Sequence, residues 1–254
     1  MKPVCLVIGA GAGIGGSVAQ RFAAEGYHAC LCRRSDEEGL HKMVADIESA
    51  GGSASGYILN AIKDGSIEQQ VATIEADIGP IEVVLYNLGA QIGDRALKDT
   101  SYKDFEMGWR LGTFGLYRLA SVVTPLMEAR GKGTILVTSA TAAVRGNAGQ
   151  HSHAAAMGGR RMLCQTLNAE FSPKGIHIAH IIIDGAVDAP DTLGKMLGKE
   201  RFQELRDSRG GENDGLLLPK EVANTYFHIA QQHRSAWTFE VDMRAYSDRP
   251  WWNH

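Results

Sequence analysis

The run IGAGAGIGG, residues 8 to 16, follows an apolar stretch and opens one with helical spacing. Glycines there let the chain turn tightly and let backbone amides approach an anion at the positive end of the following helix. Gly9, Gly13 and Gly15 match GxxxGxG, with Ile14 between the last two, and Gly11 also permits a GxGxG reading. The flanking strand and helix favour pyrophosphate binding, and hence a dinucleotide, over a purely structural turn. A second signal is the pair Arg33 and Arg34, after the apolar run HACLC. An acid at that position would accept the ribose hydroxyls of NAD, whereas guanidinium forks suit the 2′-phosphate of NADP by charge and bidentate geometry. The acids Asp36, Glu37 and Glu38 come only later. NADP(H) is therefore favoured, with NAD(H) left open and a solvated charged turn as the alternative.

Elements must hold these groups in place. Strand-like runs recur at 4–10, 28–32, 55–59, 82–87, 133–139 and 177–183, and SAWTFEVDM supplies a last one. Stretches with helical spacing lie between them, several ending in glycine as helix C-termini prefer. Strict alternation implies βαβ units: an α/β, Rossmann-type doubly wound parallel sheet of about seven strands with helices on both faces. No Pro- or Ser-rich linker divides residues 1–254, so one nucleotide-binding domain is expected. The pattern loosens over 186–220, a connection long enough to act as a substrate loop or lid with short helices of its own. The tail carries Trp251 and Trp252, which would either mark a subunit interface or fold against their own domain.

Composition narrows the partners. With 254 residues, 44% hydrophobic, the chain can bury a large core. A net charge of -3 leaves no basic surface for phosphates along a nucleic acid, so none is expected as a partner. The apolar runs are much shorter than the ~20 residues that span a bilayer, so a soluble, cytoplasmic protein is expected. A signal peptide at MKPVCLVIGAG is rejected because its cleavage would remove the glycine array. The four cysteines show no CxxC spacing and read as buried thiols, with no metal site expected.

Together these motifs resemble the short-chain dehydrogenase/reductase superfamily over nearly the whole chain. GxxxGxG stands where that family has TGxxxGxG, with Ile8 for the threonine. Asn60 falls where an aspartate commonly meets the adenine. YNLG, 86 to 89, is similar to the family's NNAG, keeping Asn87 and Gly89. IIIDGAVDA, 181 to 189, resembles the strand and PG loop at the nicotinamide, with Asp184 for the proline and Val187 where a backbone amide holds the carboxamide. The resemblance also implies a homodimer or homotetramer acting on a small molecule.

The family's Asn-Ser-Tyr-Lys tetrad is absent. The register of GNAGQHSHAAAM puts His153 at the Tyr and Met157 at the Lys, and the family spacing puts Ala140 at the Ser and Gly112 at the Asn. Ser139 and Thr141 flank the lost serine, but neighbours on a strand face opposite sides. A divergent branch of the superfamily lacking the tetrad is the best match. An imidazole, with an unperturbed pKa of about 6.5, can exchange protons near neutrality without the lysine that a phenol at about 10 needs. His153 is thus the candidate catalytic residue of an oxidoreductase acting on a carbonyl, alcohol or enone. The alternatives are an inactive cofactor-binding protein, serving as sensor or assembly partner, and a non-redox chemistry in the nicotinamide space. Arg160 and Arg161 are expected to form surface ion pairs, and Tyr86 to pack.

Overall fold

The computed structural model describes residues 2–89, 95–211 and 214–253. The first half of the chain runs β1 (Val4–Ile8), α1 (Ile14–Ala24), β2 (His28–Arg33), α2 (Glu37–Ser49), β3 (Ser53–Ile58), α3 (Ser66–Asp77), β4 (Ile81–Tyr86) and α4 (Tyr102–Trp109). A π-helical turn, Arg110–Phe114, joins α4 to α5 (Gly115–Arg130). Then come β5 (Gly133–Ala140), α6 (His151–Phe171), β6 (Ile176–Ile183), α7 (Lys195–Leu197), α8 (Lys199–Arg209), α9 (Pro219–Ala230) and β7 (Glu240–Met243). The strands form one seven-stranded sheet in the order β3-β2-β1-β4-β5-β6-β7, every pairing parallel.

Alternation along the strands sorts the core into two layers. Val4, Leu6 and Ile8 of β1 face one layer with Ile67 and Ile74 of α3, Leu116 of α5 and Cys164 of α6. Cys5 and Val7 face the other with Val18 and Phe22 of α1, Leu40 of α2 and Tyr226 of α9. The inner strands β1, β2, β4, β5 and β6 are largely buried on both faces, which is why they read as apolar runs, whereas the edge strands β3 and β7 are partly exposed. β1 pairs with β2 on one side and β4 on the other, so the chain reverses direction across the sheet at β1. Doubly wound sheets open a crevice at such a point, beyond the carboxyl ends of the strands.

Two segments frame that crevice. The connection after β6 makes an isolated bridge between Val187 and Leu217, a π-helical turn at Pro190–Gly194, and then α7 and α8. Glu212 and Asn213 of the expected loop lie outside the described residues. The tail folds back on its own domain: the Trp251 amide donates to Asp184 at 3.0 Å and its indole to Asp242 at 2.9 Å. Trp252 stays 59% exposed, with the Arg244 guanidinium over its ring. Among the described residues no helix is long and apolar enough to cross a membrane.

Candidate functional site

The glycine loop is shaped by close approach. Gly9 takes φ +100°, and a Cβ there would lie 2.9 Å from the Asn87 carbonyl oxygen. Asn87 secures the loop from the end of β4, its amide nitrogen donating to Ile8 O at 2.8 Å and its Nδ2 to Gly9 O at 2.9 Å. Its side chain therefore positions the loop and also lines the crevice. α1 begins after Gly13 without a side-chain cap, and no described acceptor takes the Ile14 or Gly15 N–H. Uncapped amides at the positive end of a helix are donors waiting for an anion. The cradle thus fits the phosphates of a nicotinamide dinucleotide.

The crevice has two lobes. One, of about 190 Å³, brings together Gly9, Gly13, Ile14, Gly15, Asn87, Gly89 and Val187. The Val187 N–H makes no described bond, and a Cβ on Gly89 would meet only open space. The other lobe, of about 340 Å³, is lined by Gly13, Ser17, Gln20, Arg33 and Lys42. Asp191 borders both. Its Oδ2 accepts the Ala12 N–H at 2.9 Å and faces Arg33 Nη2 at 3.3 Å, while Lys195 Nζ approaches Oδ1 at 3.2 Å. These contacts, the Ala12 hydrogen bond foremost, hold its carboxyl below the usual range. Arg33 also pairs with Asp36 at 2.9 Å.

The remaining candidates lie outside the lobes. Arg34 is exposed at the end of β2, with no ion pair among the described residues. Asn60 is exposed beyond β3, its carbonyl accepting the Ser66 hydroxyl at 2.8 Å. His153 lies half-buried in the first turn of α6.

On the same helix as His153, Met157 and its neighbours are apolar. Met157 is 1% exposed, in a cluster with Ala142 and Ala156 against Ala140, Ala143 and Ala154. β5 ends at Ala140, and Thr141 starts a 3-10 turn. Ser139 is buried and points its hydroxyl at Met157 Sδ, 3.9 Å away. Strand alternation thus turns Ser139 toward α6, while Thr141 has already left the strand.

Arg160 overturns the expectation of a surface ion pair. It is 1% exposed, with no carboxylate partner among the described residues. Its Nε donates to Gly112 O at 2.7 Å, Nη2 to Leu88 O at 2.7 Å and Nη1 to Thr138 O. Burial pulls its pKa down. Three segments, the chain just after β4, the end of β5 and the π-helical turn, are tied to one guanidinium. Tyr86, fully buried, donates its hydroxyl to Leu111 O, so carbonyls of that turn have partners. Arg161 does form its ion pair, bidentate with Glu240 at 2.6 and 2.8 Å. Sequence reasoning missed Arg160 although a signal existed: Met157, Arg160, Cys164 and Leu167 recur at the spacing of a buried helix face. Asp191 had no such signal.

The model of the short chain dehydrogenase family matches residues 3–195. The chain belongs to that family. It is 32% identical over 243 residues to the short-chain reductase protein NovJ of Streptomyces niveus, covering 94% of this chain and 91% of the relative. It is 25% identical over 240 residues to the 3-oxoacyl-[acyl-carrier-protein] reductase FabG of Thermotoga maritima, covering 94% of each. A solved short-chain dehydrogenase from Rhodopseudomonas palustris superposes with TM-score 0.79 at 32% identity, covering 96% of this chain and 99% of that one. The family comprises oxidoreductases that bind nicotinamide cofactors, and the seven-stranded parallel sheet is its architecture.

Proposed function

We propose that this chain is an NADP(H)-dependent oxidoreductase that reduces a small carbonyl or enone, with His153 handling the proton. The observation that carries the cofactor choice is Arg34, an exposed guanidinium at the end of β2 with no ion pair among the described residues. A 2′-phosphate there gains a charge-assisted fork that a ribose hydroxyl cannot match. Bound in the crevice, a reduced nicotinamide supplies the hydride. The imidazolium of His153 gives its N–H proton to the oxygen or carbon that becomes basic, and the neutral ring is then reprotonated from water. Gly112 and Ala140 offer no side-chain donor for a developing oxyanion, and losing one such donor typically costs roughly 100-fold to 1000-fold in rate. Turnover is accordingly slow and favours substrates that need little carbonyl activation.

The test is NADPH binding by fluorescence, followed by oxidation across a carbonyl and enone panel. His153→Phe abolishes turnover and leaves NADPH binding nearly intact. Full activity in that variant would remove His153 from the mechanism. A second reading, a nucleotide-binding protein without turnover, is favoured by the packing of Met157 among alanines where the family has its lysine. Binding without oxidation of any panel member would select it. In either reading the protein works as a homodimer or homotetramer.

A further inference from the structure

We infer that Asp191 is a specificity-determining residue of the cofactor site: its carboxylate stands where a cofactor phosphate must go, and NADPH displaces it. This rests on the dinucleotide reading of the glycine loop.

Three observations lead there. Asp191 Oδ2 is bracketed by the Ala12 N–H and the Arg33 guanidinium, one from the glycine loop and the other from the end of β2. Those are the two kinds of donor that would receive phosphate oxygens, and a carboxylate is the protein's own anion of matching charge and acceptor geometry. The segment carrying it is pressed onto the loop, since a Cβ on Gly13 would lie 2.9 Å from the Ala189 Cβ. Asp191 also borders both lobes of the crevice. A dinucleotide joins its halves through a pyrophosphate, so one that fills both lobes passes through the position the carboxylate holds.

Two consequences follow from charge. While Asp191 and Asp36 both face Arg33, that guanidinium is neutralised and offers little to an incoming phosphate. A ligand that takes Arg33 and the Ala12 N–H frees Asp191, and with it the turn Pro190–Gly194 and α7. The hinge for that movement is Gly198, at φ +83° between α7 and α8. NADPH carries a 2′-phosphate that competes for Arg33 directly, whereas NADH has only the pyrophosphate with which to compete for the loop amide. Occupation of the crevice is thereby linked to release of the segment beside the substrate end. A protein whose binding-competent state is only partly populated shows an affinity reduced by that fraction.

The experiment titrates NADPH and NADH into the unaltered protein, Asp191→Ala and Asp191→Asn. Hydrogen exchange is followed in parallel over residues 187–198. Removing the carboxylate should tighten NADPH by about tenfold and NADH by only about threefold, the size expected for a charge-assisted hydrogen bond lost by a competitor. The segment 187–198 should exchange faster in Asp191→Ala without nucleotide, and faster in the unaltered protein when NADPH is bound than when it is not. Unchanged or weaker NADPH binding in both variants overturns the inference, as does exchange that is the same in all of them. If NADPH binds the unaltered protein and the variants alike, the cofactor reading stands and only the role of Asp191 falls. If neither nucleotide binds any of the three proteins, the cofactor reading fails and this inference goes with it.

Discussion

Two adjacent arginines at the end of β2 have different fates. Arg33 points back into the crevice and spends its charge on Asp36 and Asp191, whereas Arg34 points out and keeps its charge available. Arg34→Ala is therefore expected to weaken NADPH by about tenfold or more, one charge-assisted fork, and to leave NADH nearly unchanged. Fluorescence titration checks this, and equal losses for both nucleotides would refute it. The sequence records two adjacent charges but not which way each side chain leaves the backbone, and so not that Arg33 is paired with Asp36 and Asp191.

At the scale of elements, α6 sets the character of the site. Its buried face carries Met157 and Arg160, so the helix buries an apolar side chain and a cation against the sheet and the π-helical turn. A buried charge without a carboxylate is tolerated only where its hydrogen bonds are filled, and Arg160 fills them with the carbonyls of Gly112, Thr138 and Leu88. Arg160→Met is expected to destabilise the fold by about 3 kcal/mol or more by orphaning those carbonyls, and Arg160→Lys should not rescue it, since a point charge cannot replace the fork. Urea denaturation measures both, and a midpoint unchanged in either variant would contradict the account.

β6 adds a pH response through His180, which is 0% exposed and whose Nδ1–H donates to Glu240 at 3.0 Å. Burial is the main cause that lowers its pKa from 6.5 to about 4. The unfolded chain takes up this proton first as pH falls. The stabilisation His180 provides is therefore complete above its unfolded value of about 6.5 and is lost progressively toward pH 4, with a total of about 3 kcal/mol. Thermal unfolding of the unaltered protein should show Tm falling between pH 7 and pH 5, and His180→Gln should flatten that slope. Parallel slopes would assign the acid sensitivity to other groups.

The whole molecule presents an apolar surface that its own chain leaves open. Trp109 stacks on Phe114 at 5.1 Å and Phe114 on Tyr117 at 6.3 Å, with Trp109 42% and Tyr117 55% exposed. Met162 on the neighbouring α6 is 53% exposed. A row of aromatic rings at the surface is costly to leave wet and is the kind of patch that subunit interfaces cover. If the proposed assembly uses this patch, Tyr117→Glu shifts it toward monomer by light scattering, because a charge at the centre of such an interface is left desolvated and unpaired. A monomeric unaltered protein would show that no subunit covers the patch, and a variant that assembles as before would place the interface elsewhere.

What the sequence by itself determined is whatever depends on periodicity and on local chain stiffness. Alternating strand and helix patterns specify a parallel sheet, because parallel strands need crossovers and buried strands must be apolar throughout. IGAGAGIGG specifies a tight glycine-rich turn, and the sequence alone gives His153, Met157, Ala140 and Gly112 at the positions where the resemblance expects the tetrad. Tertiary structure alone decided which of these groups meet. Asp191 reaches Ala12 across 179 positions of sequence, and Arg160 reaches Leu88 across 72, contacts set by the sheet order and by how helices pack on it. An aspartate in a loop and an arginine in a helix are ordinary surface residues until the fold closes around them. Their burial, and so their chemistry, follows from distances that no local pattern encodes.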